Sequence, residues 1–160
     1  MYIAIEGIDG SGKSTLCNVV KEYLYSYYKK SVFVTHDPDD NFPLGDYVRK
    51  MWRRNEDVGM KTYALLFAAS SVGYQISTKG IKDLLNDNNI ILSDRCAMSN
   101  YTYFLNYCDI NWIHQIHNSY KYPDLTIVLD ISLEILQDRI RQRGEKVPSL
   151  TKLENCEIII

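Results

Sequence analysis

Apolar and polar positions fall in alternating blocks along this chain. Tyr2-Ile3-Ala4-Ile5 is a short apolar run that leads into a glycine-rich stretch, and 2–6 is predicted to be a buried strand. Residues 13–29 carry helix-forming positions, and Ser31-Val32-Phe33-Val34-Thr35 returns to the β-branched and aromatic residues of a strand. A polar, turn-rich segment, 36–43, leads into a helix predicted over 43–54. One long helical region is predicted over 57–86, with Tyr63, Leu66, Phe67, Val72, Ile76 and Ile81 as its apolar positions and Gly59, Gly73 and Gly80 inside it. Asn86-Asp87-Asn88-Asn89 reads as a turn, and Ile90-Ile91-Leu92-Ser93-Asp94 as the third strand. Helices follow over 98–107 and 110–120, with Asp109 as the cap of the second. Leu125-Thr126-Ile127-Val128-Leu129-Asp130 is the fourth strand, and Ser132 is placed to cap a helix over 133–143 that Gly144 ends. A polar loop over 145–148, a short helix over 149–155 and a fifth strand at Glu157-Ile158-Ile159-Ile160 complete the pattern.

Strand alternating with helix predicts an α/β fold with a parallel sheet between helical layers. At 160 residues, without a linker, repeat or low-complexity stretch, the chain is expected to be one domain, 1–160. In such sheets ligands gather at the carboxyl ends of the strands. What stands there directs attention first to Gly7-Ile8-Asp9-Gly10-Ser11-Gly12-Lys13-Ser14-Thr15, between the first strand and the first helix. Strand, glycine loop, Gly-Lys-Ser and helix in this order form a phosphate-binding loop. Its glycines let backbone N–H groups face phosphate oxygens, and the helix adds unpaired N–H groups and a positive dipole end. Lys13 is suited to the β- and γ-phosphates, and the Ser14 hydroxyl to Mg²⁺. The chain is therefore expected to bind a nucleoside triphosphate in a three-layer α/β/α P-loop NTPase fold with a five-stranded sheet.

The other strand ends supply His36-Asp37-Pro38, then Asp94-Arg95, then Asp130. Asp94 can hold Mg²⁺ as a Walker-B carboxylate does, and Arg95 can grip a phosphate with two parallel N–H groups. Arg139, Arg141 and Arg143 lie near Gly144-Glu145. Their spacing of two residues sends neighbours to different faces of a helix, so they do not all reach one ligand while that helix persists. A segment over 139–150 is expected to act as an arginine-bearing lid on the phosphates. Asp9, a carboxylate inside a phosphate-binding loop, needs another partner, such as a sugar hydroxyl. Asp39 and Asp40 read as solvated loop residues, His114 and His117 as surface or core residues, and the Tyr23, Tyr25, Tyr27, Tyr28 group as packing.

A net charge of -2 opposes broad binding to duplex nucleic acid. The apolar start is too short for a signal peptide, and no run reaches membrane-spanning length. Four scattered cysteines in no metal-ligand spacing are expected to be reduced thiols, which fits a cytoplasmic protein. No Asn-Lys-x-Asp segment that would read guanine occurs.

Taken together, these residues resemble the thymidylate kinase family of nucleoside monophosphate kinases over nearly the whole chain. The landmarks are Glu6 to Thr15, Thr35-His36-Asp37-Pro38 with Pro43-Leu44-Gly45, Leu66-Phe67-Ala68-Ala69, Asp94-Arg95 with Ser99 and Tyr103, Pro123-Asp124-Leu125-Thr126, and Arg139 to Glu145. The resemblance implies transfer of the γ-phosphoryl of ATP to thymidine monophosphate with Mg²⁺, in a homodimer joined through long helices. It implies that Asp9 holds the acceptor 3′-hydroxyl, Phe67 stacks on the base, Arg95 binds the acceptor phosphate, and Ser99 and Tyr103 lie near base and sugar. Asp37 falls in the family's acceptor-side segment. Gly10 stands where one subclass carries an arginine, so the catalytic arginine is expected from Arg139, Arg141 or Arg143. The chain departs from the family at His36 to Asp40, where Arg-Glu-Pro-Gly-Gly is usual. It departs again at Ser71, where a thymine-reading arginine is usual, and at Val147-Pro148 after the Gly-Glu pair. The segment between lid and last strand is short. Weakened thymine preference is the expected consequence. A deoxynucleoside kinase acting on a 5′-hydroxyl and a weakly catalytic nucleotide-binding module are the alternatives.

Overall fold

A computed structural model of the chain describes residues 1–87 and 89–142. Four strands, β1 (Tyr2–Gly7), β2 (Val32–His36), β3 (Ile90–Asp94) and β4 (Leu125–Leu129), form one sheet in the order β2-β3-β1-β4. Every pairing is parallel, and the β1–β3 register places Ile5 beside Asp94. The expected fifth strand at 157–160, the helix at 149–155 and the loop at 145–148 lie outside the described residues, as do Arg143 and most of the expected lid.

The helices are α1 (Lys13–Tyr28), α2 (Pro43–Arg54), α3 (Met60–Ile76), α4 (Ile81–Asn86), α5 (Ala97–Phe104), α6 (Ile110–Ile116) and α7 (Leu133–Gln142). Strand alternation decides what each face buries. From β1, Ile3 and Ile5 meet Leu92 of β3 and Cys17, Leu16 and Val20 of α1. From the opposite face, Tyr2 packs with Ile91 and with Ile81, Leu84 and Leu85 of α4. Ala4 meets Cys96, Ala97 and Tyr120 on that same side. A further core lies among the helices, where Val48 and Met51 of α2, Tyr63 and Phe67 of α3, Phe104 of α5 and Ile113 of α6 come together. Trp52 meets Tyr63, Phe67 and Phe104 edge-on at centroid distances of 5.0, 5.5 and 6.3 Å. Such pairs add about 1 kcal/mol each beyond area burial, and Phe67 packs on Phe104 as well, at 5.7 Å.

Several boundaries differ from the sequence pattern. The helical region over 57–86 is two helices, α3 and α4, because the chain leaves the helix at Ser77. Gly59 and Gly80 are the residues before those helices rather than interior positions. The fifth and sixth helices each stop a few residues early, at Phe104 and Ile116. Asp109 does cap α6, its carboxylate accepting the N–H groups of Asn111 and Trp112. The tyrosines of α1 are exposed; Tyr23 packs on Tyr27 at 4.7 Å rather than entering the core.

Helix α2 starts at Pro43 and presses Gly45 against the loop after β2, where a Cβ would collide with the Asp39 carbonyl. Alanine is normally about 1 kcal/mol better than glycine inside a helix. Here the obstructing atom is backbone, and overpacking costs about 1–3 kcal/mol. Gly45→Ala is therefore expected to lower the urea midpoint of unfolding. An unchanged or higher midpoint would show that the loop yields freely.

Candidate active site

The carboxyl ends of β1, β2 and β3 bring the charged residues into one crevice. After β1 the chain turns through Gly7, Gly10 and Gly12 at φ of 142°, 89° and 104°. Gly12 directly precedes α1, and a side chain there would be strained by its left-handed backbone. Gly7 has a second constraint: a Cβ would come within 2.7 Å of the Leu129 carbonyl of β4. The Ser11 N–H closes the turn onto the Ile8 carbonyl at 3.1 Å. Ser11 is buried and its hydroxyl has no hydrogen-bond partner among the described residues. Lys13 is buried, and its ammonium donates to the Ile8 carbonyl at 2.9 Å and lies 3.8 Å from the Asp9 carboxylate. Burial, and next the Arg95 charge, push its pKa below the ordinary lysine value. Thr15 is exposed in the first turn of α1.

Ser14 donates its hydroxyl hydrogen to the Asp94 carboxylate across the β1–β3 junction. Two oxygen ligands separated by 80 positions in the chain thus meet at the loop. This donor set fits Mg²⁺, a hard cation held in phosphate sites by few protein oxygens. Among the described residues no cluster of three or more His, Cys, Asp or Glu forms another metal site.

Arg95 follows Asp94 in a left-handed conformation, φ 75°. A non-glycine residue costs about 1–2 kcal/mol there. Its N–H donates to the Ile5 carbonyl at 2.9 Å, which ties the turn to β1. The guanidinium forms an ion pair with Asp9, donates to Ser99 Oγ at 3.0 Å and lies 3.8 Å from Glu6. It also lies 5.8 Å from the centre of the Tyr103 ring. Burial works against the charge, but the Tyr103 hydroxyl, Asp9 and Glu6 outweigh it and hold the pKa above the ordinary arginine value. Asp9 itself is largely exposed, 82 % of its side chain being accessible.

On the β2 side, the Asp37 N–H donates to the Asp94 carbonyl at 3.1 Å, which joins the two strand ends. The Asp37 carboxylate accepts from Ser71 Oγ at 2.6 Å and from the Tyr120 hydroxyl at 3.3 Å. Burial raises its pKa to about 6, against the two hydrogen bonds and with the help of the Glu6 and Asp39 charges. Ser71 is buried one helical turn beyond Phe67, whose carbonyl also lies 3.0 Å from the serine hydroxyl. Asp37 thus meets Ser71, and Arg95 meets Ser99 and faces Tyr103, while Phe67 is buried in the core among the helices. Asp130 directly follows β4 and is exposed.

Arg139 of α7 donates to the carbonyls of Gly10 and Ser11 at 3.1 and 2.9 Å. Arg141 turns away to pair with Asp138 at 3.2 Å, as the spacing of two predicts. Asp39 is buried rather than solvated. Its carboxylate accepts from Thr35 and from the Asn41 N–H, so it builds the loop. Asp40 pairs with Arg49 at 2.9 Å. His117 is a core residue, hydrogen-bonded to Asn100 and to the Ile113 carbonyl, and burial lowers its pKa.

Two residues given no role by sequence reasoning belong to this region. Arg49 stands 2.9 Å from His36 Nδ1 at the β2 end. Its signal was helical spacing, since it lies one turn beyond Gly45, at i+4. Glu6 is a carboxylate on the inward stripe of β1 with Tyr2 and Ala4, where alternation calls for an apolar residue.

This site and sheet define a P-loop phosphotransferase. The sequence model of the thymidylate kinase family matches residues 5–158. The chain is 35 % identical over 144 residues to a thymidylate kinase of Staphylococcus haemolyticus, covering 87 % of this chain and 68 % of that protein. It is 36 % identical over 149 residues to a probable thymidylate kinase of Methanobrevibacter smithii, covering 91 % and 71 %. A crystal structure of thymidylate kinase from Ehrlichia chaffeensis superposes with a TM-score of 0.72 at 29 % identity, over 89 % of this chain and 77 % of that one. The chain belongs to the thymidylate kinase family.

Asp37 generates a pH prediction. Its native pKa of about 6 lies above the ordinary 3.8, so the native state binds more protons between those values. Its contribution to stability therefore improves as the pH falls through this window, and the full cost of the buried charge is felt above about 6. The stability difference favouring Asp37→Asn over the parent protein is expected to be largest above pH 6 and to shrink toward pH 4, measured by urea unfolding. A difference that does not vary with pH would contradict this.

Proposed function

We propose that this protein phosphorylates dTMP to dTDP with ATP as donor. The observation that carries the reading is the junction of β1 and β3. It sets a P-loop lysine, a Ser14–Asp94 oxygen pair and the Arg95 guanidinium side by side, within a chain of thymidylate kinase ancestry.

In this reaction an oxygen of the acceptor 5′-phosphate bonds to the γ-phosphorus of ATP. The bond from that phosphorus to the β–γ bridging oxygen breaks, and ADP leaves with the electron pair. No covalent intermediate with the protein is needed, since positioning and electrostatic stabilisation do the work. The N–H groups of the 7–15 loop and Lys13 bind the donor phosphates. Ser14 and Asp94 would hold Mg²⁺, which would offset charge on the phosphate oxygens. Arg95 orients the acceptor phosphate against that charge. Asp9 contacts the acceptor sugar, and Phe67, held by Trp52 and Phe104, supports the base. Tyr103 lines the acceptor side, and Ser99 contributes to it through its bond to Arg95.

Arg139 is the described lid-side arginine nearest the donor loop, so it is assigned the stabilisation of transferring charge. Ser71 spends its one proton on Asp37, which leaves little to mark a thymine carbonyl and supports weak discrimination among pyrimidines. No helix among the described residues is long and apolar enough to cross a membrane. The enzyme is assigned to the cytoplasm, with its nucleotide substrates. Exposed Tyr47 and Leu65 on α2 and α3 support a homodimer through those helices.

Lys13→Ala is expected to lower kcat by roughly 10²-fold or more while the protein stays folded, because one fixed cation at the transferring phosphate is lost. Arg139→Ala should lower kcat more than it changes the KM for dTMP. Steady-state assays of dTDP formation check both. Full turnover by Lys13→Ala would overturn the scheme.

A further inference from the structure

Glu6 is the buried group whose role is left open above. It is 8 % exposed, at the end of β1 just before the phosphate-binding loop. A carboxylate in such a place is retained only if both oxygens are satisfied. Oε1 accepts the Cys96 N–H at 2.8 Å, and Oε2 accepts the Ser99 hydroxyl hydrogen at 2.8 Å. Ser99 Oγ in turn accepts from Arg95 at 3.0 Å, and Glu6 Oε2 lies 3.8 Å from the same guanidinium nitrogen. The direction of this relay is forced. Arginine only donates and an ionised carboxylate only accepts, so the serine proton must point to Glu6 and its lone pair to Arg95.

The backbone is held by the same carboxylate. Cys96 is the residue after Arg95, and the Glu6–Cys96 bond closes the turn in which Arg95 sits at φ 75°. A conformation of this kind persists only where its surroundings over-determine it. The Arg95 N–H to Ile5 bond fixes one side of the turn and Glu6 the other. Glu6 thereby controls both the main chain and the side chain of Arg95, while the guanidinium nitrogen that meets Asp9 is left toward the crevice.

We propose that Glu6 is a positioning residue for the acceptor phosphate, acting through Arg95 and Ser99 rather than by touching substrate. The proposal rests on the assignment of Arg95 to that phosphate. Glu6→Gln tests it because glutamine keeps the volume and can still accept the Cys96 N–H. Its amide N–H₂, however, cannot accept the Ser99 proton and opposes the guanidinium.

Glu6→Gln is expected to raise the KM for dTMP about tenfold, the scale of one charge-assisted hydrogen bond, with the KM for ATP within about twofold of the parent. In an Arg95→Ala background the same substitution should add no further change, since the residue through which it acts is gone. Ser99→Ala, which interrupts the relay and leaves the buried carboxylate intact, should also raise the dTMP KM and lose that effect in the Arg95→Ala background. It serves if Glu6→Gln does not fold. Parent-like dTMP kinetics in Glu6→Gln, or an equal penalty with and without Arg95, would overturn the proposal and leave the Arg95 assignment standing. An Arg95→Ala variant with unchanged dTMP KM would overturn that assignment, and the Glu6 inference with it.

Discussion

The parallel pairing of β1 with β3, in the register that sets Ile5 beside Asp94, is the constraint on which the site depends. The P-loop leaves β1 two residues after Ile5, and Asp94-Arg95 leaves β3 at the same level. Neither segment is a site alone. The ladder brings the Ser14 hydroxyl to Asp94, and it ties the Arg95 turn back to Ile5. A slip of one residue would turn every side chain of one strand to the other face and break both links at once. β2 extends the same logic, since the Asp37 N–H joins the Asp94 carbonyl and carries Asp37 to the crevice.

Charge at this junction is balanced largely between neighbouring groups. The same carboxylates, Asp9 and Glu6 among them, favour the charge on both cations: at Lys13 burial and the Arg95 charge outweigh them and lower the pKa, whereas at Arg95 they help outweigh burial and raise it. The cations are thus held in place by protein groups, an arrangement suited to preorganised phosphoryl transfer. The aromatic helices behind it serve the same end. Trp52, Phe67 and Phe104 pack edge-on against one another, which fixes their place in the core between the helices.

Much of this was legible in residue order. The phosphate-binding loop, the Asp94-Arg95 pair and the parallel sheet follow from patterns whose physics is local: glycines where N–H groups must converge, and apolar runs where strands must be buried. What escaped the pattern depends on tertiary partners. Asp39 and Asp40 look alike in sequence, yet one is buried on Thr35 and Asn41 and the other pairs with Arg49. Glu6 sits in a motif where the glycines and lysine draw attention, and its purpose shows only when Cys96 and Ser99, 90 and 93 positions away, arrive beside it. The break between α3 and α4 falls on Ser77-Thr78-Lys79-Gly80, a polar stretch ending in glycine that interrupts the apolar period between Ile76 and Ile81, a signal that the reading of one helical region over 57–86 passed over. Arg139 and Arg141 were separable by helical spacing alone, but which one meets the loop required the fold.

The most direct test of the central claim is ADP release from ATP and Mg²⁺ with a set of acceptors, dTMP, the other deoxynucleoside monophosphates and thymidine, offered separately. The account predicts acceptor-dependent ADP formation with dTMP, its conversion to dTDP, and no turnover of thymidine. Turnover of thymidine without turnover of dTMP would contradict it, because the Arg95 crevice would then face a hydroxyl and not a phosphate.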